Sequence, residues 1–201
     1  FLPGNCPFAA QVLALAILSK QPSRVRGFEL SLQHQLLIDV LRNAAITIEL
    51  LNSQVNQQTT WGDINISATD FNGIDLDNTQ VCQLGEVLGP LLIICLSAKT
   101  PSRWDLTSIN PRDLTHLTQL WQALFAEVLP VRDNHISIEP RQVAGGLADC
   151  QGNIFQAFTY AISAPISLNN WVISGISGQE SQVAQAVHLS KQMGLLLNSL
   201  G

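Results

Sequence analysis

The most apolar stretch of the chain runs from Phe8 to Leu18 and is interrupted only by Gln11. A helix over Pro7 to Lys20 that is apolar nearly all round is expected to be buried on most faces. Gln21-Pro22-Ser23 ends it. Phe28, Leu32, Leu36, Val40, Ala44, Ile48, Leu51 and Val55 then step by four or three residues. This is one stripe of a helix over 27–56, with Glu29, Gln33, Arg42 and Gln54 opposite. Thirty residues at 1.5 Å each would make a rod of about 45 Å. The β-branched run Ile46-Thr47-Ile48 pulls the other way and could open a strand, so 44–51 stays between helix and strand.

Further along, Asp63 to Ala68 alternates strictly and predicts a half-buried strand. Phe71 to Asn78, rich in Asp, Asn and Gly, predicts turns. Thr79 to Leu88 predicts a short helix stopped by Gly89-Pro90, and the apolar run Leu91 to Ser97 a central buried strand. The strongest signal is a helix over 111–129. Asn110 can cap it, Pro111 suits its first position, Asp113 meets its dipole, and Leu117, Trp121, Leu124 and Val128 share a face. Strands over His135–Glu139 and Trp171–Ile176 follow, with Ile154–Ile162 ambiguous. A capping-box pattern at Ser177–Glu180 opens a last helix.

This order predicts an α+β fold, with an antiparallel or mixed sheet of about five strands packed with long amphipathic helices. A single domain over 1–201 is expected, with an N-terminal helical segment 1–58 and a sheet-containing body 59–201. No repeat of 20–50 residues is visible. The layout resembles that of GAF-like, PAS-like and roadblock-like modules, which are sensory or dimerising units.

Composition narrows the class. Of 201 residues 46% are hydrophobic and only 12% charged, with a net charge of −5. That excludes disorder. Lysine occurs only at Lys20, Lys99 and Lys191, with no basic cluster, so no nucleic-acid partner is expected. No apolar run spans a bilayer. Phe8–Leu18 is too short, and no positive charge precedes it as a signal peptide requires. Cys6, Cys82, Cys95 and Cys150 lack metal-binding spacing and read as free thiols of a cytoplasmic protein. A secreted form with two disulfides stays open, as does processing before Phe1, since the chain does not open on Met.

Candidate chemistry is sparse. No phosphate-binding glycine loop occurs. Asp39–Ala44 and Thr69–Ile74 resemble, in the right order, two elements of the histidine-kinase ATPase fold, but Asp39 stands for Asn and the turn's second glycine is missing. An amphipathic helix and an Asx-rich turn is the simpler account. Asp70, Asn72, Asp75 and Asp77 are oxygen-rich but lack calcium-loop spacing. His34, His116, His135 and His188 form no metal motif, so neither metal nor cofactor is expected. Gly145 to Gly152, with Asp149-Cys150-Gln151-Gly152 before an apolar run, resembles the helix start of NlpC/P60-type cysteine hydrolases. That resemblance implies Cys150 as nucleophile; His135, at the start of a strand, is the candidate base, although that family places its His after the Cys. Trp61 and Trp104 lie in polar contexts and could line a ligand or partner surface. The expectation is a non-catalytic regulatory or sensory module that binds a partner protein or small ligand. It would self-associate as a homodimer through Phe28, Leu32, Leu36 and Val40, with the cysteine hydrolase as the alternative.

Overall fold

The computed structural model describes residues 8–56, 59–67, 70–150 and 154–174. The chain builds similar units in succession. The first runs α1 (Ala9–Leu18), β1 (Ser23–Glu29), α2 (Leu32–Asn43), β2 (Thr47–Asn56) and β3 (Thr59–Ser67). Its sheet has the order β1-β3-β2 and is antiparallel throughout. The second unit opens with α3 (Asn78–Leu84) and a 3-10 turn at Gly85–Val87. It continues through α4 (Leu88–Cys95), β4 (Ser102–Asp105), α5 (Pro111–Phe125), β5 (Val131–Arg132) and β6 (His135–Ile138). Its sheet order, β4-β6-β5, repeats the first-third-second arrangement.

The spacing repeats as well. Ala9 corresponds to Leu88, Ser23 to Ser102 and Leu32 to Pro111 by one constant shift. A third unit is represented by β7 (Gly146–Asp149), α6 (Ile154–Ile162) and β8 (Trp171–Ser174), with β7 and β8 parallel. The parallel bridge of Leu76 to Trp104 marks the corresponding start of the second unit. This repeat is longer than the 20–50 residues at which solenoids announce themselves, and its sequence has diverged.

One helix of each unit lies inside. α1, α4 and α6 pack on one another, and the Phe8 and Phe158 rings meet at 4.4 Å. Leu13, Ala14 and Ile17 of α1 and Leu91, Leu92 and Ile93 of α4 are fully buried. The β-strands alternate around this centre: Ile64 and Ile66 point inward, while Asp63, Asn65 and Ser67 point outward.

Several expectations are corrected. The helix over 27–56 does not exist, and residues 8–56 hold β1 and β2 besides two helices. Gly27 takes φ 63°, a bulge sits between Val25 and Phe28, and Leu30 N–H still donates to the Thr60 carbonyl. Ser31 Oγ then accepts from His34 N–H and starts α2, which ends where Ala45 turns to φ 70°. The inward positions of strand, helix and strand fall by coincidence on a three-four step. Phe28, Val40 and Ile48 are buried, but Leu32 is 86% exposed and Val55 79%.

The expected strand over Leu91–Ser97 is helix α4. Pro90 does not stop a helix here. It sits in the first turn, where its missing N–H costs nothing. A run buried on every side carries no period to tell strand from helix. Among the described residues, the single sheet of about five strands is replaced by two three-stranded antiparallel sheets and one parallel pair.

Elsewhere the local chemistry behaves as read. Asn110 Oδ1 accepts from Arg112 N–H at 2.9 Å, Pro111 leads α5, and Leu117, Trp121 and Leu124 are buried. The helix ends at Phe125, because Ala126 adopts φ 54°, and Val128 is exposed. Asp77 and Gln80 form a reciprocal capping box at α3. The last helix expected after Ser177 lies outside the described residues. Among the described residues, no helix is long and apolar enough to cross a membrane.

Candidate functional site

Four helices begin around one cleft of about 170 Å3. α1 contributes Gln11 from its first turn. The 3-10 turn and α4 contribute Gly85, Glu86, Leu88 and Gly89. α5 contributes Arg112, Asp113 and His116, and α6 contributes Gln156, Thr159 and Tyr160. A helix start carries partial positive charge, because its first N–H groups have no carbonyl partners in the helix. No side chain caps α1, whereas α4 runs on from the 3-10 turn, its Leu88 N–H donating to the Gly85 carbonyl, and Asn110 caps α5.

The cleft walls are shaped by glycine and threonine. A Cβ at Gly89 would stand 3.5 Å from Thr159 Cγ2 and 3.6 Å from Leu120 Cδ2, ordinary contact distances. A methyl group there would fit without displacing a neighbour. Gly85 turns the chain at φ 43°, which an L side chain rarely adopts.

The polar groups are mixed in charge. Arg112 Nη2 lies 3.9 Å from Glu86 Oε1, with both side chains largely exposed, so the pair binds weakly. Asp113 and His116 stand one turn apart on α5, half-buried. Gln156 Nε2 donates to Gln119 Oε1 at 3.0 Å. Burial, with a contribution from Cys150, pushes the Tyr160 phenol up to about 12, so it stays protonated. Gln11 differs from all of these. It is 5% exposed, and its Oε1 is buried without a hydrogen-bond partner.

The residues singled out by sequence lie elsewhere. Cys150 is fully buried just after β7, its N–H donating to the Ser174 carbonyl. Burial first, then the Asp149 charge, pushes its thiol up to about 11, the opposite of activation. His135 opens β6 in another sheet, with Nδ1 2.7 Å from the Asp133 carbonyl oxygen and Nε2 4.0 Å from Asp105. Nothing joins the two into a nucleophile–base pair, and the hydrolase alternative has no support. Cys82, Cys95 and Cys150 are free thiols, while Cys6 lies outside the described residues.

Trp104 is wholly buried, and its Nε1 donates to the Ile74 carbonyl at 3.0 Å. It is core and not surface. Trp61 is half-buried on the outer face of β3, beside an open groove with Arg24, Arg26 and Asn52. Of the expected dimer contact, Phe28 and Val40 are inside, Leu36 is half-buried and only Leu32 is exposed.

The acidic loop is structural. Asp70 pairs with Lys99 at 3.0 Å, Asp75 accepts from Arg103 N–H and Asp77 caps α3. Asp39 pairs with Arg42 on the exposed side of α2. Among the described residues, no three His, Cys, Asp or Glu side chains gather as a metal site.

No protein-family model matches the chain, and no curated protein matches it in sequence. Solved structures do match. EPSP synthase from Acinetobacter baumannii superposes with a TM-score of 0.70 over 91% of this chain, at 13% identity. A second structure of that enzyme gives 0.69 over 96%, at 15% identity. The enolpyruvyl transferase NikO from Streptomyces tendae gives 0.54 over 90%, at 10% identity. The chain shares their fold. It spans less than half their length: 44%, 45% and 42% of the three.

This corrects the expectation of a non-catalytic regulatory or sensory module with a GAF-, PAS- or roadblock-like layout. The structures it resembles are enzymes. At these identities the likeness concerns backbone, and no functional residue is carried across. The sequence reading missed the cleft because its parts are spread from Gln11 to Tyr160 and form no local motif. One signal was visible: Gln11 is the single polar residue in Phe8–Leu18.

Proposed function

We propose that this chain forms one lobe, residues 1–201, of an enzyme of the enolpyruvyl-transferase type, and that the cleft at the helix starts is its substrate site. The observation that carries this reading is the convergence of α1, α4, α5 and α6 on a cleft holding Arg112, Asp113 and His116. An enolpyruvyl group bears a carboxylate, and Arg112 together with the uncapped start of α1 suits it. Transfer of such a group to a hydroxyl requires removal of the hydroxyl proton. Asp113 and His116, adjacent on α5, are the candidate bases.

The neighbours' greater length supports a second lobe that covers the cleft, supplied by further chain or by a second copy. A net charge of −5 without a basic cluster favours a small-molecule ligand over nucleic acid, and free thiols at Cys82, Cys95 and Cys150 fit a cytoplasmic setting.

The test is an amide NMR titration with phosphoenolpyruvate, pyruvate and inorganic phosphate. Saturable shifts confined to Gln11, Gly85–Gly89 and Arg112–His116 are expected. Shifts elsewhere, or none with any of the three, sink the reading.

A further inference from the structure

Arginines elsewhere in the chain are tied to their carboxylates by hydrogen bonds. Arg24 Nη2 reaches Asp63 at 2.7 Å, and Arg141 Nη2 reaches Glu127 at 3.1 Å. Arg42 pairs with Asp39 and also donates twice to the Ile48 carbonyl. Arg112 differs. Its Nη2 stands 3.9 Å from Glu86 Oε1, beyond hydrogen-bond reach, and it has no other ion-pair partner among the described residues.

Both members of this loose pair line the cleft, and they come from different walls. Glu86 is carried by the 3-10 turn between α3 and α4, and Arg112 by the first turn of α5. The Arg112 N–H is committed to Asn110 Oδ1, so its backbone is fixed. Its side chain and that of Glu86 are largely exposed, and neither is packed in place. Arg112 is the only Lys or Arg among the described residues lining the cleft. An anion that enters meets a cation already compensated, and must take it over. It can improve on what it replaces. A free carboxylate or phosphoryl group can turn to meet the guanidinium fork with two parallel hydrogen bonds, which Glu86 does not make.

We propose that Glu86 competes with the anionic group of the substrate for Arg112, so that binding is an exchange in which Glu86 leaves the guanidinium and the substrate takes its place. The inference rests on the reading of the cleft as a substrate site. It adds the residue that sets how tightly that site holds an anion. Glu86 itself makes no contact with the substrate in the exchanged state.

Inorganic phosphate, pyruvate and methyl pyruvate are titrated against the wild-type chain and the Glu86→Gln, Glu86→Asp and Arg112→Gln variants, with the cleft amides as readout. Glu86→Gln is expected to tighten phosphate and pyruvate about threefold to fivefold, the size of an exposed ion pair that no longer has to be broken. Glu86→Asp keeps the charge but shortens the arm by one carbon, and tightens both anions about as much. Arg112→Gln weakens both about tenfold or more, through loss of a charged hydrogen-bond donor. Methyl pyruvate has no charge to exchange. It binds more weakly than pyruvate and gains nothing from either Glu86 variant. Melting temperatures of the Glu86 variants stay near that of the wild type, because the pair is exposed.

Anion binding that is unchanged or weaker in Glu86→Gln overturns the inference, as does an equal gain for methyl pyruvate. So does a Glu86→Asp variant that binds like the wild type while Glu86→Gln gains, since charge repulsion alone would then account for the effect. Anion binding indifferent to Arg112→Gln also overturns it. Each of these leaves the cleft a binding site. Absence of cleft shifts with every probe, phosphoenolpyruvate included, overturns the substrate-site reading and this inference together.

Discussion

Ser31 and Asn110 occupy the same place in successive units. Ser31 Oγ accepts from His34 N–H to begin α2, and Asn110 Oδ1 accepts from Arg112 N–H to begin α5. Two different residues with one chemistry hold the two amphipathic helices at equivalent points of the repeat. Ser31→Ala and Asn110→Ala should each cost about 1 kcal/mol. The two caps share no partner, so the double variant should lose the sum of the single losses. Urea unfolding of the four proteins measures this, and a double loss well short of additive would show that the two units are coupled at their caps.

His34 makes stability depend on pH. Burial holds its imidazole below the ordinary 6.5, outweighing the Glu29 carbonyl and carboxylate, which raise it. The unfolded chain then takes up the proton more readily than the folded one, so stability is full above 6.5 and is lost as pH falls through the folded value. Unfolding midpoints should decline from neutral toward about pH 5, and His34→Gln should flatten that decline. Asp63, held low by Arg24 and the Gly27 N–H, and Asp105, held low by Thr107, add losses only below the usual carboxylate range.

The two glycines Gly73 and Gly89 should part company. A Cβ at Gly73 would run into the Pro101 carbonyl oxygen, in a segment pinned by the Gly73 N–H on Thr100 Oγ1 and the Ile74 N–H on Ser102 Oγ. Gly73→Ala should cost more than about 3 kcal/mol, or prevent folding, because backbone must move. Gly89→Ala meets ordinary contacts and should stay within about 1 kcal/mol of the wild type. Equal stability of the two variants, measured by thermal unfolding, would refute this contrast.

Thiol reactivity should sort by depth in a Cys6→Ser background. Cys82 is exposed, its Sγ donating to the Ser108 carbonyl, and should react first with a disulfide reagent. Cys95 and Cys150 are buried, with thiols pushed up to about 12 and about 11. Both should react only as fast as the chain unfolds. Rapid native-state labelling of Cys150 would revive a catalytic role for it.

How much of this was legible depended on where the signal lay. Asn110, Pro111 and Asp113 are consecutive cues for one event, and α5 begins where they say. Ile46-Thr47-Ile48, left open between helix and strand, turned out to open β2. The break between β1 and α2 had weaker cues, Gly27 and Ser31, and eight apolar residues in helical step outweighed them. Leu91 to Leu96 could not be assigned from pattern, because burial on every side erases the period on which such assignment rests. The repeat was hidden because Ala9 and Leu88, or Leu32 and Pro111, need share only a backbone role. The cleft is a property of four helix starts at once, and Gln11 alone betrayed it, as a polar residue in an apolar helix.

Because α1 and α4 have no polar side, neither can lie on its own sheet and turn the other face to water. Each unit borrows its neighbours' central helix as a wall. A solenoid of stacked repeats can fray from an end or gain a module, since each repeat leans only on the next. Here removal of one unit would expose the central helices of the others, so the units cannot be trimmed one at a time. Amide protons of Leu13 and Leu92, in different units, are thus bound to open in one concerted event, and their hydrogen exchange should report a single free energy.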